Sequence, residues 1–81
     1  MIIRRCSTKG AFEAIPEKNI QLNLAKLKEK YKVIAEIPIL VLIKYADYEI
    51  TCYKNGKLLI RKCNDQEEAL KIAEKIYEDA K

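Results

Sequence analysis

The chemistry that this sequence offers is that of binding, through outward-facing side chains on two segments near the middle of the chain. Hydrophobic alternation over 48–54 and 57–63 directs four side chains to one side of a sheet: Thr51, Tyr53, Leu59 and Arg61. Four lysines rim that surface: Lys44, Lys54, Lys57 and Lys62. Rings stack on bases and ammonium groups neutralise phosphates, so the set predicts a nucleic-acid-binding surface. The alternative is that Tyr53 and Leu59 form a cross-strand pair that only supports the sheet.

The same composition argues against catalysis. The chain has no histidine, which removes the commonest general base. A zinc site normally needs four Cys or His ligands, and only Cys6, Cys52 and Cys63 exist, so we expect buried free thiols in a reducing cytosol. The two glycines form no phosphate-cradling loop. We therefore expect no catalytic residue, no metal and no cofactor.

Size and hydrophobicity predict one soluble domain over residues 1–81. Hydrophobic residues make up 49% and charged residues 35%, a globular balance. The longest apolar run, 37–43, is too short to span a bilayer, and no apolar segment of a signal peptide follows Arg4 and Arg5. We expect a cytoplasmic protein without a membrane partner.

Charge is distributed unevenly along the chain. The net charge is +4, but the final segment 65–81 holds six acidic residues and three lysines, which is −3 and leaves +7 for the rest. Segregation of this kind is typical of a protein with a polyanion partner. The alternative is that the lysines only keep the protein soluble.

The first half of the chain predicts one strand, one loop and one helix. Residues 1–7 form the predicted strand, and Thr8 to Pro16 the loop, which Gly10 breaks. Pro16 suits the first position of a helix. The apolar stripe of that helix is Ile20, Leu24, Leu27 and Tyr31. Pro38 then divides 32–45 into two short strands or bends a single edge strand.

The second half predicts a three-stranded meander and a final helix. A tight turn at Ala46-Asp47 precedes the second strand, and Asn55-Gly56 predicts a hairpin with a type I′ turn and a positive φ at Gly56. Asn64 with Glu67 has the pattern of a helix N-cap and capping box. The predicted buried stripe of that helix is Ala69, Ile72, Ala73, Ile76 and Ala80.

The hairpin also resembles a known family. Residues 50–60 read Ile-Thr-Cys-Tyr-Lys-Asn-Gly-Lys-Leu-Leu-Ile and precede a capped helix. This stretch resembles one repeat of the TATA-box-binding-protein fold, with its Leu-Ile-Phe-x-Ser-Gly-Lys hairpin. It is more similar to the amino-terminal substrate-binding domain of bacterial ribonuclease HIII, which carries an Ile-Thr-Ala-Tyr-Lys-Ser-Gly-Lys-Val-Leu type hairpin. The match covers about half the chain, from Ile39 to Ala80.

The resemblance implies a fold and the roles of particular residues. In this fold a curved antiparallel sheet has helices on one face, and the other face binds nucleic acid, as duplex DNA or as an RNA–DNA hybrid. Tyr53 would occupy the place of a kink-inducing Phe, Lys57 that of a phosphate-contacting Lys, and Asn55 that of a Ser. Leu59 and Arg61 would lie on the nucleic-acid face of the next strand.

The prediction is therefore an α+β domain with four to five antiparallel strands and two helices on one face, in a TATA-binding-protein-like arrangement. A ferredoxin-like sandwich is the alternative fold. The predicted function is non-catalytic nucleic-acid binding through the open face. The alternative function is a protein-interaction or homo-oligomerisation module, in which a second copy or a partner subunit covers that face. A homodimer would supply the second repeat that TATA-binding proteins carry in one chain.

Overall fold

The computed structural model describes residues 2–5, 10–17 and 20–80, which form six strands and two helices. The elements in chain order are β1 (Ile2–Arg5), β2 (Ala11–Ile15), α1 (Leu24–Lys30), β3 (Lys32–Ile37), β4 (Leu40–Tyr45), β5 (Tyr48–Tyr53), β6 (Leu58–Arg61) and α2 (Gln66–Asp79). The chain is therefore α+β, as predicted. This order differs from the β-α-β-β-α-β order of a ferredoxin-like sandwich.

All six strands lie in one antiparallel sheet in the order β1-β2-β6-β5-β4-β3. The predicted meander is confirmed, because β4, β5 and β6 are consecutive neighbours. Pro38 and Ile39 form a two-residue turn between the paired residues Ile37 and Leu40. Of the two alternatives for 32–45, two short strands is therefore the observed one.

The predicted count of four to five strands is wrong because the segment predicted as a loop contains β2. This strand pairs with β1 on one side and with β6 on the other. The alternation of polar and apolar side chains in β2 is weak, since Ala11 and Ala14 are small and Glu13 is the only charged residue of the strand. Gly10 does not break the pairing: it has φ +76, and its carbonyl accepts from Cys63 N at 2.9 Å. The predicted limits of β1 at Met1 and Ser7 lie outside the described residues.

Helix α1 begins later than Pro16. Asn23 is its N-cap, with Oδ1 accepting from Lys26 N at 3.2 Å. The preceding segment is held by two backbone bonds, from Leu22 N to Lys54 O at 3.2 Å and from Asn23 N to Ala80 O at 3.1 Å. These bonds satisfy the backbone outside a helix, so the apolar spacing from Ile20 to Leu24 is not helical.

Helix α2 forms as predicted except for its cap. Asp65, not Asn64, is the N-cap, and Asp65 Oδ1 accepts from Glu67 N at 3.0 Å. All five residues of the predicted stripe are buried: Ala69, Ile72, Ala73, Ile76 and Ala80. No helix within the described ranges has the length and apolar character needed to cross a membrane.

The two helices lie on the same face of the sheet. Helix α1 contacts β3 and β4, and α2 contacts β1 and β2. Their buried side chains join those of the strands in one core cluster, which includes Phe12, Leu27, Ile43, Ile50 and Ile76. The opposite face of the sheet carries no helix of the described chain.

Candidate nucleic-acid interface

The uncovered side of the sheet is defined by the strand register. Directly paired residues of neighbouring strands share a face, and successive residues alternate between faces. One row of partners runs through Phe12, Ile60, Ile50 and Ile43, and all four are buried in the core. The rows on either side of it therefore point away from the helices. We call this side the open face.

Three rows of cross-strand partners on the open face contain the predicted site residues of the strands. The cationic row is Lys32, Lys44, Glu49 and Arg61. The middle row is Ala35, Leu42, Thr51, Leu59, Glu13 and Arg4. The apolar row is Ile37, Leu40 and Tyr53. The cationic and apolar rows are four residues apart along β4, which is about 13 Å.

Five of the seven predicted site residues lie on this face. Thr51, Tyr53 and Leu59 are half-buried, whereas Lys44 and Arg61 are exposed. Tyr53 and Leu59 are not direct cross-strand partners, because Leu59 pairs with Thr51 and Tyr53 pairs with Leu40. The other two predicted residues, Asn55 and Lys57, belong to the turn between β5 and β6.

That turn is a hairpin, and Gly56 has φ +102 as predicted, but the type I′ assignment is wrong. Asn55 does not have a positive φ. Tyr53 N donates to Lys57 O at 2.9 Å, and Gly56 N donates to Tyr53 O at 3.0 Å, which closes a three-residue loop with glycine last. Asn55 Oδ1 accepts from Lys57 N at 3.1 Å, so this oxygen is already engaged in the turn.

Lys57 is engaged with other residues of the open face. Its Nζ lies 3.0 Å from Glu13 Oε1 and 5.6 Å from the centre of the Tyr53 ring. Arg4 Nη2 lies 3.2 Å from the other Glu13 oxygen. The hydrogen bond from Lys57, with the charges of Lys57 and Arg4, holds the pKa of Glu13 below its usual value against the opposing effect of burial. At this end of the face Lys57 and Arg4 therefore share one carboxylate.

The positive charges of the cationic row lack ion pairs of this kind within the described chain. Lys32 lies directly opposite Lys44, and neither they nor Arg61 form an ion pair with any described residue. Glu49 is the one carboxylate in the row, and its Oε2 lies 3.3 Å from Lys62 Nζ. Like charges directly opposite each other destabilise a sheet, so this row favours an anion from outside the fold.

A β-bulge puts Lys32 on the open face. From Ile37 to Ala35 the partners follow one register, and between Ala35 and Val33 the register shifts by one residue. Without the shift Lys32 would oppose Tyr45 and point towards the helices. Bulges re-aim side chains in this way and are common beside functional sites. Sequence reasoning missed Lys32, since no turn residue or charge pattern indicates an extra residue at Ile34.

Two concave regions adjoin the open face. At the cationic end a groove of about 790 Å³ is lined by Lys32, Val33, Ile34, Lys44, Asp47, Glu49 and Lys62. At the apolar end a groove of about 680 Å³ is lined by Ile20, Gln21, Ile39, Tyr53, Lys54 and Asn55. Ile37 is 52% exposed and Ile39 61% exposed at this end. The face therefore carries the strand cations that lack an ion pair with a described residue at one end and the exposed isoleucines at the other.

The two cysteines among the described residues offer no reactive group on this face. Cys52 and Cys63 are buried free thiols, and burial raises the pKa of Cys52 to about 12, so that it stays a thiol at neutral pH. Cys6 lies outside the described residues. Among residues 2–5, 10–17 and 20–80 no three Cys, Asp or Glu side chains are grouped so that they could hold a metal ion.

Comparisons with known proteins give no relative. No protein-family model matches the chain, no curated protein matches it, and no solved structure matches it. The assignment of a function therefore rests on the open face.

Proposed function

We propose that this protein is a non-catalytic nucleic-acid-binding module that uses the open face of its sheet. The observation that carries the proposal is the pairing of Lys32 with Lys44 beside half-buried apolar side chains. Three cations of one row lack an ion pair within the described chain, and a nucleic acid would supply the missing negative charge. Tyr53, Leu59 and Thr51 lie within the same surface and offer contacts to bases or sugars.

The charge of helix α2 also favours the approach of a polyanion to the open face. Glu67, Glu74 and Glu78 are exposed on α2, which packs on the core side of the sheet. A polyanion is therefore repelled from the outer surface of α2 and attracted to the open face.

The arrangement is in keeping with the TATA-binding-protein-like fold that the hairpin resembles. In both, helices lie on one side of an antiparallel sheet and the other side is free. Two features differ from the roles implied by the resemblance: Asn55 uses its oxygen within the turn, and Lys57 is paired with Glu13. We therefore place the main phosphate contacts at Lys32, Lys44 and Arg61 instead of Lys57.

The proposal is tested by the affinity for labelled oligonucleotides at several salt concentrations. Binding to phosphates releases counterions, so the affinity should fall steeply as salt rises. Lys44→Gln should lower both the affinity and the salt slope. Lys71→Gln is the matched control, because Lys71 is an exposed lysine on α2, in the opposite layer. Equal effects of the two changes, or no binding at low salt, would refute the proposal.

The second candidate function is a protein-interaction or homo-oligomerisation module. The observation that favours it is the exposure of Ile34, Ile37 and Ile39, at 46%, 52% and 61%, beside the edge strand β3. Apolar side chains grouped at one edge are typical of a partner contact. Association through them would depend weakly on salt, and sedimentation equilibrium at low and high salt separates the two functions.

A further inference from the structure

The two ends of the open face differ in the kind of group that they can bind. The cationic row crosses β3, β4, β5 and β6, so it extends over three strand spacings, about 14 Å. A row of this length can meet more than one phosphate of a chain that runs across the strands. The middle and apolar rows beside it are mainly aliphatic, with Thr51 and the Tyr53 ring among them.

The strand cations of the open face that lack an ion pair with a described residue therefore lie along one side. At the other side Lys57 and Arg4 share the Glu13 carboxylate, at 3.0 and 3.2 Å, and Lys54 lines the groove beside Tyr53. The side chains that project there are Ile37 and Ile39. A ligand that fits has its negative charges along one edge and its flat apolar groups along the other.

Building on the proposed function, we infer that the ligand is single-stranded nucleic acid, with its phosphates along the cationic row and its bases over the middle and apolar rows. A single strand has this one-sided character, and its unstacked bases are free to lie on aliphatic and aromatic side chains. A duplex carries phosphates on both sides of each groove and keeps its base faces stacked inside, so it would offer the apolar row sugars and base edges but no base face.

The inference is tested with four probes of equal length: a thymidine oligonucleotide, the corresponding DNA duplex, an RNA–DNA hybrid and an abasic deoxyribose-phosphate oligomer. The single strand should bind more tightly than the abasic oligomer by about tenfold for each stacked base. It should also bind more tightly than the duplex and the hybrid. Tighter binding of the duplex or hybrid, or equal binding of the abasic oligomer, would overturn the inference but leave nucleic-acid binding intact.

Matched variants locate the phosphates. Lys32→Gln and Lys44→Gln should each reduce the salt slope for the single strand by about 0.7, the value for one lost phosphate contact. Lys71→Gln should leave it unchanged. Tyr53→Leu should weaken the single strand by about tenfold but leave the abasic oligomer unaffected. Unchanged slopes with intact binding would exclude this row as the phosphate path. Failure of every probe to bind would refute the proposed function itself.

Discussion

Lys32 and Lys44 lie directly opposite each other on neighbouring strands, with both side chains on the uncovered side of the sheet. A one-residue shift of register between Val33 and Ala35 is what brings them together. An arrangement of this kind lowers the stability of the free protein, because like charges stand directly opposite each other and neither lysine forms an ion pair with a described carboxylate. Glu49, the cross-strand partner of Lys44 on the other side, forms its ion pair with Lys62. The stability cost and the proposed binding function are therefore linked, and they can be measured separately.

The first prediction concerns this linkage. Lys32→Glu should increase the free energy of unfolding by about 0.2–1 kcal/mol, since it replaces a like-charge pair with an opposite-charge pair. The same change should weaken oligonucleotide binding. Urea denaturation and fluorescence anisotropy measure the two effects. Lys32→Gln is the intermediate control, and stability should rise in the order Lys, Gln, Glu. A fall in stability along this series would show that Lys32 does not repel Lys44.

The second prediction concerns Gly56 in the β5–β6 turn. A Cβ at this position would lie 2.9 Å from both Ile20 Cγ1 and Ile20 O and 3.0 Å from Pro16 Cγ. Gly10 also has a positive φ, but a Cβ there would meet only Asn64 Oδ1 at 3.5 Å. Gly56→Ala should therefore cost about 1–3 kcal/mol more than Gly10→Ala in urea denaturation. Equal costs would mean that the segment near Ile20 does not pack on the turn.

The third prediction concerns Glu13. Its carboxylate lies on the open face and compensates Lys57 and Arg4. Glu13→Gln should strengthen oligonucleotide binding by about two- to fivefold, because it removes a negative charge and frees two cations. Anisotropy titrations at low salt measure the change. Glu74→Gln on the exposed side of α2 is the control and should have a smaller effect. Weaker binding after Glu13→Gln would mean that Glu13 itself contacts the ligand.

The fourth prediction concerns the contact between the ends of the two helices. Tyr31 Oη donates a hydrogen bond to Asp79, and Lys30 and Lys75 lie 3.4 and 3.5 Å from the Asp79 carboxylate. The hydrogen bond from Tyr31 is the largest cause that holds the pKa of Asp79 below its ordinary value of 3.8. A lowered folded-state pKa gives stability that is present above the unfolded pKa and is lost as the pH falls through the folded one.

Tyr31→Phe should therefore destabilise the protein near pH 7 by about 1.5–3 kcal/mol, the range for a hydrogen bond to a charged group. The loss should be smaller at about pH 2 than at pH 7, because a larger fraction of Asp79 is protonated at the lower pH. Urea denaturation at the two pH values measures the difference. Tyr48→Phe is a control, since no described side chain accepts a hydrogen bond from Tyr48. An equal loss at both pH values would show that the Tyr31 hydroxyl does not stabilise the Asp79 carboxylate.

The elements that the sequence predicted well are those with a clear alternation of polar and apolar side chains or a clear helix N-cap. Ile50 and Cys52 alternate with polar neighbours, and the strand and its outward face were both identified correctly. The buried stripe of α2 from Ala69 to Ala80 was equally clear. The observed N-cap lies one residue after the predicted one, because the side chains of Asn64 and Asp65 can both accept a hydrogen bond from the first turn.

The features that the sequence did not predict depend on distant parts of the chain. Strand β2 exists because β1 and β6 pair with it on both sides, and five residues with two alanines give little sign of that. The extra residue at Ile34 determines that Lys32 lies on the open face, and only the pairing of β3 with β4 reveals it. The cationic row therefore could not be assembled from sequence patterns, although Lys44 and Arg61 were identified individually.

An amide chemical-shift titration decides whether nucleic acid binds the open face. The protein is titrated at low salt with a single strand, a duplex and an RNA–DNA hybrid, each in excess. We expect saturable shifts at Lys32, Lys44 and Leu42 and across Thr51 to Arg61, with α2 unchanged and the single strand most effective. Unchanged amides on the open face with all three ligands, or shifts confined to the helix layer, would contradict it.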